Sequence, residues 1–99
     1  MIISIDFDET YSAKPDMWNT VIESFLSHGC DVICVTARYD YEMYKVHNSI
    51  GLLIGEDKCY STGRLYKKKY MKRKGIKVDI WIDDNPSSIV NPYWMSVAK

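Results

Sequence analysis

Three short apolar runs each end on a group able to do chemistry, and this pattern narrows the fold more than anything else in the chain. Ile2-Ile3-Ser4-Ile5 leads into Asp6-Phe7-Asp8-Glu9-Thr10, Val32-Ile33-Cys34-Val35 into Thr36, and Ile80-Trp81-Ile82 into Asp83-Asp84. Strands buried on both faces read as continuous apolar runs of this length. In an open α/β sheet, ligands gather just outside the carboxyl ends of the strands. Acids and a hydroxyl from distant parts of the chain are therefore expected at one edge of one sheet.

The rest of the pattern fits an alternation of strands and helices, the signature of an α/β domain with a mainly parallel sheet covered on both faces. Strands are predicted over residues 2–7, 31–36 and 78–82. A weaker strand falls within 52–61, where Leu52-Leu53-Ile54 competes with Cys59-Tyr60-Ser61. Met17, Trp18, Val21, Ile22, Phe25 and Leu26 recur at the helical period and predict a helix over 15–28, with Gly29 as its stop. Further helices are predicted over 41–50, ending at Gly51, and over 65–74, ending at Gly75. Pro86 suits the first turn of a short helix to position 90, and residues 93–99 suit an edge strand.

Ninety-nine residues with 46% apolar content suffice for one domain, taken as 1–99, and allow a thin core. The thirteen basic and thirteen acidic residues cancel, which excludes a uniformly basic nucleic-acid binder. The balance is uneven, however: eight of the basic residues lie between Arg64 and Lys77. No apolar stretch approaches the roughly 20 residues of a membrane span, and the four-residue N-terminal run lacks a basic lead, so it reads as a strand rather than a signal. Cys30, Cys34 and Cys59 form no Cys-x-x-Cys pair and read as small buried hydrophobes of a reducing, cytoplasmic compartment. His28 reads as a helix-end residue and His47 as a surface one.

Carboxylates around a divalent metal, with a lysine and a hydroxyl, suit the handling of a phosphoryl group. One of Asp6 and Asp8 can attack phosphorus, and the other can protonate the leaving oxygen and then activate water. In a continuing strand the two would point to the same face. A Mg²⁺ between them would relieve their repulsion, with Asp83 and Asp84 completing an oxygen shell. Thr36 offers a hydroxyl to a phosphate oxygen, and a lysine among Lys67, Lys68 and Lys69 would neutralise charge on the transferring group. Taken singly, each element has an ordinary explanation, as an acidic loop, a strand end or a helix start. Their common order, each at a strand's carboxyl end, makes them a candidate site.

In this order, Asp6-Phe7-Asp8-Glu9-Thr10, Val35-Thr36-Ala37-Arg38, a lysine and Trp81-Ile82-Asp83-Asp84-Asn85-Pro86 resemble the motif set of the haloacid dehalogenase superfamily, over about residues 1–90. The resemblance implies a Rossmann-like three-layer fold and an aspartyl-phosphate mechanism. It implies Asp6 as nucleophile, Asp8 as general acid and base, Thr36 as phosphate-binding hydroxyl, and a lysine at the start of a helix. Of Lys67, Lys68, Lys69 and Arg64, Lys67 is the choice, because it lies early in the predicted helix. Mg²⁺ would be held by Asp6, Asp8 (through its carbonyl) and Asp83, with Asp84 either a further ligand or a support behind the ligands. Thr10, Arg38 and Lys68 are expected on the substrate side, Arg38 holding a second phosphate or carboxylate. An acid at position 8 argues for phosphatase or phosphotransferase chemistry rather than dehalogenation. A catalytically idle phospho-ligand or nucleic-acid binding module on the same fold is the alternative.

Neither the gap from Thr10 to Asp31 nor that from Thr36 to Lys67 can house a lid domain. The implied enzyme is capless, with an open site suited to a nucleotide, a nucleic-acid end or a phosphoprotein, or to a homo-oligomer whose neighbour serves as lid. The basic run from Arg64 to Lys77 reads either as a solvated face or as a patch for nucleic acid. Tyr39, Tyr41 and Tyr44 follow Thr36 closely, with packing their ordinary role and stacking on a base or phosphotyrosine the alternative.

Overall fold

A computed structural model describes residues 1–90. Four strands, β1 (Ile2–Ile5), β2 (Asp31–Thr36), β3 (Cys59–Ser61) and β4 (Ile80–Ile82), form one sheet in the order β3-β2-β1-β4. Every pairing is parallel: Ile5 lies opposite both Cys34 and Ile82, and Thr36 opposite Ser61. That register aligns the carboxyl ends of the strands. The segment 93–99, expected as an edge strand, lies outside the described residues.

Alternate residues of each strand feed two apolar clusters, one per face. Ile5, Val32 and Cys34 pack with Ile22 of α1 (Pro15–Ser27), Val46 of α2 (Tyr44–His47) and Ile50 of α3 (Ile50–Ile54). Ile33 and Val35 pack with Met71 of α4 (Lys67–Arg73), with Tyr60, Val78 and Trp81 against them. Helices thus cover both faces, the arrangement that parallel sheets require. Trp18 and Trp81 are half-buried, one against each cluster. Among the described residues no insertion large enough for a lid separates these elements, and no helix is long and apolar enough to cross a membrane.

Several predicted boundaries shift for local reasons. The single helix expected over 41–50 is instead a 3-10 turn (Asp40–Glu42) followed by α2 and α3. The side chains of Asn48 and Ser49 donate back to the carbonyls of Tyr44 (2.8 Å) and Lys45 (2.6 Å), competing with helix continuation. Gly51 therefore does not end a helix but sits inside α3, where a Cβ would come within 3.2 Å of the Val46 carbonyl. Leu52-Leu53-Ile54 is accordingly helical, and Cys59–Ser61 supplies the third strand. β4 begins at Ile80 rather than 78, because the Asp79 carboxylate accepts the Ile2 N–H (2.7 Å) just before the ladder. The segment after Pro86 forms a 3-10 turn, Pro86–Ser88, rather than a helix to 90. The basic helix is Lys67–Arg73, shorter at its start than the predicted 65–74.

Candidate active site

β1 ends at Ile5, not at position 7, and the chain then folds back. The Tyr11 N–H reaches the Asp6 carbonyl (3.1 Å) and the Ser12 N–H the Phe7 carbonyl (2.9 Å), with Glu9 in the left-handed region at φ +63°. Asp6 and Asp8 are consequently not stacked on one face of a continuing strand. Asp6 stays in the sheet, its N–H bonded to the Ile82 carbonyl (2.9 Å) and its side chain buried. Asp8 swings outward, where Arg38 grips its carboxylate with two hydrogen bonds of 2.8 and 3.0 Å.

The strand register brings the two ends of the chain together at Asp6. The Lys67 ammonium, 2% exposed, donates to Asp6 Oδ1 (2.7 Å) and to Asp83 Oδ2 (2.6 Å). Of the three neighbouring lysines only Lys67 enters the site. Lys68 and Lys69 are exposed, and Lys68 lies apart from the cleft. Its expected place beside substrate is therefore not where the helix puts it, since position 68 is rotated about 100° around α4 from position 67. Thr10 bridges the two acid loops: its hydroxyl lies 3.4 Å from Asp6 Oδ2 and 3.2 Å from Asp84 Oδ1, and it accepts the Asp84 N–H (3.3 Å). Ser88 and the Asn85 N–H donate to the two oxygens of Asp83, a support given by the turn after β4 that spacing alone did not signal.

Carboxylate oxygens of Asp6, Asp83 and Asp84 all lie within 4.8 Å of one another. Lys67 occupies one oxygen each of Asp6 and Asp83, leaving each of the three acids an oxygen it does not touch. Three carboxylates thus face one ammonium, and the surplus of negative charge and the all-oxygen donor set fit a hard divalent cation. The Asp8 side chain stands outside this group, turned to Arg38.

The electrostatics follow the burial. Desolvation lifts Asp6 to about 6, against the opposing pull of Lys67 and with help from Asp83. Burial works against the Lys67 ammonium, but the hydrogen bonds to Asp6 and Asp83 outweigh it and its pKa is raised. Hydrogen bonds from Arg38 hold Asp8 below the usual carboxylate range. Above these groups lies an open cleft of about 360 Å³, lined by Asp6, Asp8, Arg38, Arg64, Lys67 and Asp84 among others. Thr36 is fully buried and lies beneath rather than in the cleft, and its hydroxyl accepts the Arg38 N–H (3.3 Å), shaping the loop that carries Ala37 and Arg38 to the cleft. Glu42 anchors the same loop, its carbonyl accepting Arg38 Nη1 (2.8 Å). Sequence reasoning missed Glu42 and Ser88 as supports, because both act through folded turns and not through any linear spacing.

Set against protein-family models, curated proteins and solved structures, the chain matches none of them.

Proposed function

We propose that this chain is a Mg²⁺-dependent phosphomonoester hydrolase of the haloacid dehalogenase type, capless and working through an aspartyl-phosphate on Asp6. One observation carries the reading: Asp6, Lys67, Asp83 and Asp84, from both ends of the chain, meet under one open cleft. A Mg²⁺ held by Asp6, Asp83 and Asp84 would supply charge neutralisation between the carboxylates and a phosphate. Lys67, locked between two acids, holds a positive charge beside Asp6 and adds to that neutralisation.

An Asp6 oxygen attacks phosphorus while the bond from phosphorus to the leaving oxygen breaks, and Asp8, in its acid form, gives that oxygen a proton. Asp8, now a carboxylate, then takes a proton from water as the water oxygen attacks phosphorus. The bond to Asp6 breaks, inorganic phosphate leaves and both aspartates return to their starting forms. Asp8 must leave Arg38 to take the proton it donates, and substrate phosphate drawn to the Arg38 guanidinium is a means of releasing it.

The expected outcome is Mg²⁺-dependent phosphate release from simple phosphate monoesters, reduced at least about a thousandfold in Asp6→Asn, as for other lost nucleophiles. The grip of Arg38 on Asp8 favours a second reading, a phospho-ligand binding module that does no chemistry. Tight phosphate-monoester binding with no release by the parent chain would select it.

A further inference from the structure

The loop after β2 carries a feature that hydrolysis itself does not use. The rings of Tyr39 and Tyr41 stack with planes 2° apart and centroids 5.7 Å apart. Tyr41 is 83% exposed and Tyr39 39%, and neither joins an apolar cluster of the sheet. Packing, the ordinary reason for a tyrosine pair, does not account for two parallel rings in solvent.

The pair is also held in place. The Tyr39 N–H donates to the Glu42 carboxylate (3.0 Å) and the Glu42 N–H returns to the Tyr39 carbonyl (2.9 Å). The Ser61 hydroxyl donates to the carboxylate of Asp40, between the two tyrosines. The backbone of Gly63 approaches so closely that a Cβ there would lie 3.3 Å from the Tyr39 ring. This platform adjoins the cleft. Arg38, the preceding residue, lines it, as does Arg64, whose guanidinium lies 5.6 Å from the centre of the Tyr39 ring. Among the described residues Arg64 forms no ion pair; its charge reaches Asp8 only at longer range and adds to the positive field at the cleft.

We infer that the substrate is a nucleobase-bearing phosphate monoester, a mononucleotide or the phosphorylated end of a single-stranded nucleic acid, with its phosphate in the Asp6 cleft and its base on the Tyr39–Tyr41 platform. Every base offers a flat π-face, and stacking on aromatic side chains is how single strands are held without sequence preference. A sugar phosphate or phosphoserine has no flat group to place on the rings. The ring of phosphotyrosine is bonded directly to its ester oxygen and stays in the cleft mouth, whereas a ribose carries a base outward to the rim. Next in the chain after Arg64, Leu65 lines a small cavity with Lys69 and Arg73 of α4, whose charges suit a phosphodiester chain.

The inference rests on the hydrolase reading for the place of the phosphate, and its test separates the two. Adenosine 5′-monophosphate is compared with ribose 5-phosphate, the same ester without the base, by both equilibrium binding and phosphate release. Oligonucleotides bearing a terminal phosphate and a phosphotyrosine peptide are run alongside. The base is expected to improve binding at least about fivefold, Tyr41→Ala to erase that ratio while leaving ribose 5-phosphate unaffected, and Tyr41→Phe to keep it. A steep fall of oligonucleotide binding with salt marks the nucleic-acid end as the source, and a flat response the mononucleotide. Equal binding of the two esters, a ratio that survives Tyr41→Ala, or a phosphopeptide preferred over both nucleotide forms overturns the inference while leaving hydrolysis intact. Absence of phosphate release from every ester sinks the hydrolase reading, yet the binding ratio still decides this one.

Discussion

Lys67 shows how one residue can require the fold around it. A buried ammonium is tolerated only when paired, and removing one partner of such a pair costs about 3–5 kcal/mol. Here Asp6 and Asp83 both accept from it, which ties the ends of β1 and β4 and the helix α4 to a single side chain. That a lysine from the basic run would join the acids was legible in the order of the clusters. Which one was decided by helical geometry, because of the three lysines only Lys67 faces inward. Arg38 illustrates the opposite case. The sequence suggested a substrate ligand, and the folded chain turns it onto Asp8, a pairing that depends on how the turn after β1 swings outward. In the proposed mechanism Asp8 must be protonated to act as acid, and Arg38 holds it below the usual range. Arg38→Ala should therefore move the alkaline limb of the kcat/KM profile, which reports the free protein, to higher pH, read by phosphate release across a pH series. An unmoved limb would remove Asp8 from the acid role. The same pairing favours the fold above the ordinary carboxylate pKa, and the benefit is lost as pH falls through the lowered value; it is small, since half of the Asp8 side chain is exposed.

Among the elements, α4 joins the core to the candidate site. Lys67 and Met71 lie one turn apart on its buried face, Met71 in the apolar cluster with Val35 and Lys67 in the site. Met71→Ala is expected to cost about 2–5 kcal/mol of stability and, in the protein still folded, to lower kcat by loosening Lys67. Ile22→Ala, a similar truncation on the opposite face of the sheet, is expected to cost stability in the same range while kcat stays close to that of the parent. Chemical denaturation with phosphate-release assays on both variants compares them, and equal kcat losses would separate α4 from the chemistry. The long periodic helix α1 and the strand β2 matched their expected bounds closely because period and stop signal agree there. The region between 40 and 58 did not, since Asn48 and Ser49 broke the helix through side-chain bonds whose direction no periodicity encodes.

At the scale of the whole molecule, the fold holds the acids of the site at a cost. Asp6 has its pKa raised from 3.8 to about 6. The folded chain then binds the Asp6 proton more tightly than the unfolded chain, so this group's contribution to stability falls as pH rises from about 4 to about 6. A divalent ion competes with that proton. Mg²⁺ at roughly a hundred times its Kd should add about 2.7 kcal/mol, raise Tm by several degrees at pH 7.5 and do less at pH 5, with Asp84→Asn weakening the effect. Calorimetric scans with and without EDTA check this, and a Tm indifferent to Mg²⁺ at both pH values would remove the cation from the site. From the sequence alone came the parallel α/β layout, the lack of room for a lid and the set of residues at the strand ends, because alternation of apolar runs and stop residues is local information written in the chain. Only the tertiary structure decided which lysine is buried, that Asp8 leaves the acid cluster for Arg38, that Thr10 links the two acid loops, and that Tyr39 and Tyr41 form a platform beside the cleft. Those outcomes depend on how turns aim side chains across contacts many residues apart, and aim is a property of the packed backbone that residue spacing does not carry.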